Sequence, residues 1–360
     1  MRLLSPILQR LIYPALGSIG YFHSRCVPSA TVSVITYHGV LPSGYERKSP
    51  PLDNTLVSPE SFRAQLRLLK KHYNVISPDH FLRWLRRREN LPDRATLLTC
   101  DDGLLNHLSL MLPILQEEGL KCLFFATGAA LGNTPADTPE MLWYMGLFLL
   151  LMEVRMQDSP LRVHGFRIPG ISSLRAQREV LWQDLIKTLS RLDAAARREF
   201  MEEAAAKLGL HPGWKARRWD DPLFRQRFQL LRLPELRQLA DAQMTIGAHT
   251  LSHPVLVEQS TELARVEIIE CRKLLEKGLG QQVWAIAFPF GTPSSVGERE
   301  CRLAEEAGYE CAFVNVGGSL NLASPRFALP RIHATAEMSL RVFEAHVSGF
   351  HDAMRSRFRS

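Results

Sequence analysis

The sequence predicts an α/β fold, most simply a (β/α) barrel that is interrupted by a helical insertion. Short apolar segments rich in β-branched residues alternate with helical patterns in both halves of the chain, which is typical of a parallel sheet with crossover helices. Between these halves, residues 135–230 show mainly helical periodicity. The 360 residues are 46% hydrophobic and 22% charged, a composition that suits a globular unit with a large core.

Strand patterns occur on both sides of the insertion. The predicted strands are residues 31–37, 75–76, 95–100, 120–127, 244–248, 283–288, 311–316 and 329–333. Predicted helices begin at Ser58, Pro78 and Ser339, and others cover residues 108–118, 234–240, 261–277 and 296–307. The apolar run 141–152 contains Gly146 and is shorter than the roughly 20 residues that a membrane-spanning helix needs, so a buried helix is predicted there.

These patterns divide the chain into an N-terminal segment (residues 1–30), the barrel (31–345, with the insertion at about 135–230) and a C-terminal tail (346–360). The N-terminal segment has a short apolar stretch behind Arg2 and Arg10, broken by Pro14. It has no clear signal-peptide cleavage site and is too short to span a bilayer. We expect a cytoplasmic protein, with a peripheral membrane contact through this segment as one interpretation.

The charge balance and the cysteines narrow the choice of partners. The net charge is +7, from 44 Lys and Arg against 37 Asp and Glu. This excess could favour binding to an anionic membrane or glycan, but an ordinary solvated basic surface is the preferred interpretation. No nucleic-acid-binding motif is present, so no nucleic acid partner is expected. The six cysteines form no CxxC pair and are predicted to be reduced thiols.

Polar residues stand where the predicted strands end, which is where barrel enzymes place their chemistry. His249 and His253 are four residues apart, so both imidazoles can bind one metal if the segment turns helically. Capping or surface histidines would show the same spacing. Asp101 and Asp102 precede Gly103, as in many turns, but they follow an apolar strand.

Two adjacent carboxylates at a barrel mouth repel each other unless a cation lies between them. One Asp with two His is a familiar ligand set for a divalent metal with open positions. The second Asp is then free to act as a base, and a histidine opposite can protonate a departing amine. The pattern predicts metal-assisted hydrolysis.

Several segments resemble motifs of the polysaccharide deacetylases, also called the NodB homology domain or carbohydrate esterase family 4. The sequence TCDDG at residues 99–103 resembles the T-F-D-D-G motif, HTLSH at 249–253 matches H-[ST]-x-x-H, and FPFG at 288–291 resembles P-[YF]-G. ITYHGV around His38 is similar to the family's N-terminal region. The similar segments run in the same order from about residue 31 to 345.

The resemblance implies a distorted (β/α)7-type barrel that binds zinc or a similar divalent ion. It implies these roles: Asp102, His249 and His253 as metal ligands, Asp101 as general base, His333 as catalytic acid, and the backbone N–H of Phe290 as an oxyanion donor. His38 is expected to support the site from beneath, although a role as a further ligand is the alternative.

The chain departs from the family at several positions. Cys100 replaces a Phe, Leu104 replaces a common aromatic residue, and the family's Asp/Trp motif is not recognisable. Ala287 stands where many members have an arginine that orients the catalytic Asp. Our hypothesis is that Arg331 takes over this role, with an ordinary barrel-rim arginine as the alternative.

The predicted function is hydrolysis of a non-peptide C–N bond, namely removal of N-acetyl groups from a polysaccharide, oligosaccharide or glycolipid. The insertion carries Trp214 and Trp219 among basic residues, which could shape a glycan or lipid-linked pocket or simply pack against helices. Two alternatives stay open: hydrolysis of another C–N bond, and a catalytically inactive carbohydrate-binding protein.

Overall fold

The computed structural model describes residues 11–24, 31–47, 50–131, 140–156, 159–211 and 213–357. In chain order, the strands are β1 (Val32–Tyr37), β2 (Asn74–Ile76), β3 (Ala95–Cys100), β4 (Leu123–Ala126), β5 (Leu161–Val163), β6 (Phe166–Ile168), β7 (Thr245–Ala248), β8 (Ala285–Ala287), β9 (Cys311–Val314), β10 (Leu329–Pro330) and β11 (Ile332–His333). All except β5 and β6 belong to one parallel sheet, which curves into a nearly closed barrel. The predicted fold class is confirmed.

The barrel is closed by its last segment, which runs between the two ends of the sheet. Strand β10 pairs with β9 through Leu329, and β11 pairs with β1 through Ile332. The predicted strand 329–333 is therefore broken in two, with Arg331 between its halves. The other long strands are buried along their whole length, as expected for a parallel sheet that is covered on both faces.

The helices cover the barrel and build the insertion. They are α1 (Tyr13–Ser18), α2 (Tyr21–Ser24), α3 (Pro50–Asp53), α4 (Pro59–His72), α5 (Pro78–Leu85), α6 (Leu112–Glu118), α7 (Trp143–Glu153), α8 (Arg175–Leu189), α9 (Ala194–Lys207), α10 (Pro222–Phe228), α11 (Leu233–Asp241), α12 (Thr261–Leu279), α13 (Glu298–Glu306), α14 (Leu340–Val347) and α15 (Phe350–Arg357). Ser58 caps α4 by accepting a hydrogen bond from the Ser61 N–H at 3.1 Å, which explains why the predicted helix begins there.

The insertion lies between β4 and β7 and has its own apolar core. Helices α7 to α10 pack around residues that include Phe148, Trp182 and Phe200. The antiparallel hairpin of β5 and β6 was not predicted, because its strands have only three residues each, fewer than the pattern rules require. The predicted start of the insertion, residue 135, lies outside the described residues.

The first and last described segments of the chain pack against each other. Tyr13 and Phe22 form an apolar cluster with Val342 and Phe350, and the Tyr13 hydroxyl lies 2.8 Å from Nδ1 of His351. The boundary predicted at residue 345 falls inside α14. Residues 1–10 and 25–30 of the predicted N-terminal segment lie outside the described part. Within that part, no helix is long and apolar enough to cross a bilayer.

A buried ion pair ties the insertion to the barrel. Arg227 on α10 donates from Nε to Oδ1 of Asp53 on α3 at 2.8 Å, and from Nη2 to the Leu52 carbonyl at 2.7 Å. Both charged side chains are fully buried. A buried charge is costly unless its partner is present, so this pair should hold the end of the insertion in place.

Replacing Arg227 with Met should therefore lower the free energy of unfolding by about 3–5 kcal/mol, because the Asp53 carboxylate loses its partner in the core. Urea unfolding followed by circular dichroism measures the change. The exposed Arg225 on the same helix is the matched control, and Arg225→Met should change the stability by no more than about 0.5 kcal/mol. Equal effects of the two substitutions would contradict this assignment.

Candidate active site

The two aspartates lie at the end of β3, in a sharply turned loop. Asp102 has a φ angle of +83° and Gly103 one of +71°. A Cβ atom on Gly103 would lie 3.2 Å from both Cα and Cβ of Ala126, so glycine is needed here. The Leu231 N–H donates to the Gly103 carbonyl at 2.7 Å, which fixes the loop against the chain that leaves the insertion.

The histidine pair follows β7 and meets Asp102. Nε2 of His249 lies 3.5 Å from Oδ1 of Asp102, and Nε2 of His253 lies 3.3 Å from the same oxygen. The His249 Nδ1–H donates to the Ala287 carbonyl, with 2.7 Å between the two heavy atoms. This hydrogen bond leaves the lone pair of Nε2 directed at the aspartate.

These three residues can hold a divalent metal ion. Their ligand atoms all lie within 4.8 Å of one another. Tetrahedral bonds of about 2.0–2.2 Å place ligand atoms about 3.3–3.6 Å apart, and the two Asp102–His distances agree with this. Oδ1 of Asp102 is buried without a hydrogen-bond donor in the described structure, which is costly unless a cation satisfies it.

Arg331 contacts Asp101 from the break in the closing segment. Its Nη1 and Nη2 donate to Oδ1 and Oδ2 of Asp101 at 2.7 and 2.6 Å, and both side chains are fully buried. Burial alone would raise the pKa of Asp101, but the Arg331 guanidinium, together with His249 and His38, brings the pKa to about 2. The geometry that our hypothesis for Arg331 requires is therefore present, and the carboxylate is ionised at neutral pH.

Two further histidines stand on the other side of Asp101. The rings of His38 and His333 lie 4.5 Å apart, and Nε2 of His38 is 4.0 Å from Oδ2 of Asp101. Burial, followed by the neighbouring His38, lowers the pKa of His333 to about 3. The imidazole is uncharged at neutral pH, so a role as proton donor requires that a bound substrate raises its pKa.

Phe290 lies in the turn after β8. Phe290 and Gly291 have φ angles of +61° and +62°, and the Gly291 carbonyl accepts a hydrogen bond from the Asn315 N–H at 2.7 Å. The Phe290 ring lies 5.1 Å from the ring of His253. The turn thus lies beside the candidate metal ligands, and the predicted role of the Phe290 amide stays a prediction.

Comparison with known proteins supports the resemblance to polysaccharide deacetylases. A sequence profile of polysaccharide deacetylases matches residues 215–312, the stretch that contains His249, His253 and Phe290, and the fold brings Asp102 to them. In this region the chain is similar to the polysaccharide deacetylases. YxkH of Bacillus subtilis (strain 168), itself a predicted polysaccharide deacetylase, is 24% identical over 113 residues, or 31% of this chain and 39% of YxkH. The matched region thus spans about two fifths of that relative.

Solved structures of deacetylases share the fold. The Streptococcus pyogenes deacetylase PplD, solved in complex with acetate, aligns with a TM-score of 0.55 and 17% identity over 89% of this chain and 99% of that one. A de-N-acetylase from Aggregatibacter actinomycetemcomitans aligns with a TM-score of 0.54 and 12% identity over 88% and 99% of the two chains. At such identities the agreement concerns the fold alone.

The structure shows where the residues that depart from the family's motifs lie. Cys100 is a fully buried apolar residue, and its Sγ lies 3.2 Å from Nε2 of the buried His107. Leu104 is also buried. Ala287 has no side chain that could reach Asp101, but its carbonyl orients His249. A position that many family members use for an arginine thus still contributes to the site through its backbone.

Sequence reasoning missed three residues at the site. Asn315 accepts a hydrogen bond from Nη2 of Arg331 at 2.9 Å, and its place directly after β9 could have revealed it. Trp143 donates from Nε1 to the His253 carbonyl at 2.9 Å, and the Tyr144 ring lies 5.1 Å from that of His253. Trp143 and Tyr144 belong to the insertion, and no local sequence pattern predicts such a long-range contact.

The two tryptophans that the sequence analysis singled out pack within the insertion. The ring of Trp219 lies 5.0 Å from that of Phe224, and Trp214 is partly buried against the same apolar core. These contacts agree with the helix-packing interpretation. The aromatic residues beside the histidines are instead those at the start of α7.

Proposed function

We propose that this protein is a divalent-metal-dependent N-deacetylase, which hydrolyses N-acetyl groups on a polysaccharide, oligosaccharide or glycolipid. The observation that carries the proposal is the joint placement of a metal-binding triad and an ionised Asp101. The match of residues 215–312 to the deacetylase profile supports the reaction class, and the de-N-acetylase among the structures of similar fold supports the N-acetyl group. Zinc suits a site of two imidazole nitrogens and one carboxylate oxygen with a free position.

Each residue at and around the triad has a separate role in the proposed hydrolysis. A divalent ion at Asp102, His249 and His253 supplies Lewis-acid polarisation when bound. Asp101, which Arg331 keeps ionised and oriented, accepts a proton from the attacking water. The Phe290 N–H donates a hydrogen bond to the developing oxyanion. His333 protonates the departing amine, so that the C–N bond breaks and acetate and a free amine leave.

Asp101→Asn should lower kcat by about 10²–10⁴-fold, because the amide cannot accept the proton. Acetate release from N-acetylglucosamine oligomers measures the change, on protein purified without chelators. The metal content should stay at the wild-type level, since Asp101 is not a ligand in this scheme. Full activity of Asp101→Asn would show that another group is the base.

The same measurements separate the alternatives. A wild-type protein that binds metal but releases no acetate from these oligomers would favour another C–N bond or a lipid-linked glycan. A wild-type protein with neither metal nor turnover would favour an inactive carbohydrate-binding protein. The intact triad and the Asp101–Arg331 pair argue against that second alternative, because carbohydrate binding requires neither.

A further inference from the structure

The loop that carries both metal-binding histidines has an unusual backbone. Thr250 and His253 have φ angles of +62° and +57°, in a region that is disfavoured for residues with side chains. Such conformations persist only where surrounding contacts hold them. The loop follows a short strand of four residues, β7, so contacts from outside the strand must fix it.

One such contact is a buried ionic network that reaches the loop from the insertion. Arg197 on α9 donates from Nη2 to the Ser252 hydroxyl, which donates in turn to Oε1 of Glu267 on α12. The Ser252 N–H donates to Oε2 of Glu267 at 2.7 Å. Arg197 is only 2% exposed and Glu267 5%. Ser252 is thus held between a helix of the insertion and a helix of the barrel.

A second contact joins the same arginine to a metal-binding histidine. The Arg197 guanidinium lies over the Trp143 indole, 5.1 Å from the ring centroid, a favourable cation–π distance. Trp143 in turn donates to the His253 carbonyl. Arg197 therefore supports the loop both at Ser252 and, through Trp143, at His253.

We propose that Arg197 is a positioning residue for the metal site, so that the insertion completes this site in addition to any contact with substrate. The inference rests on the proposed metal-dependent function. Arg197 touches neither the metal ligands nor the reacting atoms. It acts by holding the strained loop in the one arrangement that places both imidazoles on Asp102.

The test compares metal affinity in Arg197→Met, Arg197→Lys and a control. The control is Arg178→Met: Arg178, on α8 of the same insertion, is also buried and donates to the Ser172, Leu151 and Val154 carbonyls. The dissociation constants of Zn²⁺ and Co²⁺ are measured by competition with a chromophoric chelator, and the Co²⁺ absorption spectrum reports ligand geometry.

Arg197→Met should bind metal about 10–100-fold more weakly, as is typical when a group that supports metal ligands is lost, and should alter the Co²⁺ spectrum. Arg197→Lys should recover part of the affinity, and Arg178→Met should bind within about twofold of wild type even if it is less stable. If Arg197→Met does not fold, Trp143→Phe takes its place. This variant lacks the hydrogen bond to His253 and should also bind metal more weakly than wild type.

Two results would overturn the inference, and they differ. In the first, wild type binds metal, and Arg197→Met (or Trp143→Phe in its place) binds it equally well with an unchanged Co²⁺ spectrum. The positioning role then fails while the metal site stands. If wild type binds no metal although it folds, the proposed function fails, and this inference fails with it.

Discussion

Replacing His253 with Ala should abolish stoichiometric metal binding and, with it, almost all acetate release. The triad supplies three ligand atoms, and among the described residues it is the one group of His, Cys, Asp or Glu that could hold a metal ion. A metal contributes several kcal/mol of transition-state stabilisation, and about 1.4 kcal/mol corresponds to a factor of ten in rate. The expected loss in kcat is therefore about 10³-fold or more. Elemental analysis and the acetate assay measure the two effects.

A histidine outside the site provides the control for this experiment. His80 lies on α5, where its Nε2 is 3.0 Å from the Asn90 carbonyl, and His80→Ala should keep its metal and its activity. Added Zn²⁺ should raise the melting temperature of wild type and His80→Ala, because a ligand that binds only the folded state stabilises it. His253→Ala should show no such rise. Normal metal content in His253→Ala would place the ion elsewhere.

Arg331→Met should damage both stability and activity. The Asp101 carboxylate would be left charged in a buried position, which costs about 3–5 kcal/mol. Part of this cost is avoided if the carboxyl becomes protonated, and a protonated Asp101 cannot act as a base. We therefore expect kcat to fall by about 10²–10⁴-fold, the usual contribution of a general base. Urea unfolding and the acetate assay measure the two losses.

A double substitution separates the two roles of Arg331. Arg331→Met with Asp101→Asn removes both charges, so much of the lost stability should return, while the activity should not. If the double variant were as unstable as Arg331→Met alone, the loss would come from packing against Phe125 and Phe313, whose rings lie within 6 Å of the guanidinium carbon. Wild-type turnover in Arg331→Met would refute the proposed replacement of the family's arginine.

The barrel was accessible to sequence reasoning because its signals are local. Buried strands such as β1 and β3 are short runs of mostly apolar and β-branched residues, and Ser58 and Pro59 mark a helix start with their own side chains. The candidate metal triad could be predicted for a different reason: parallel strands end at one edge of a barrel, so the residues that follow β3 and β7 lie close together.

The parts that were missed depend on contacts across long stretches of chain. Arg331 was assigned to its role as a hypothesis only, since nothing in the sequence around it shows that it faces Asp101, 230 residues away. The broken strand around it was likewise hidden, because five consecutive residues look like one strand. Trp143 and Arg197 lie in helices whose local patterns indicate packing, and only tertiary structure shows that they reach the histidine loop.

The break between β10 and β11 places the Asp101–Arg331 ion pair at the seam of the barrel. Only two residues pair on each side of this seam, so few backbone hydrogen bonds oppose its opening. Any fluctuation that frees the segment withdraws the guanidinium from Asp101 at the same moment. Heating or mild denaturant should therefore reduce the activity while most of the secondary structure persists. Amide hydrogen exchange at Ile332 should speed up as the segment opens, before global unfolding begins.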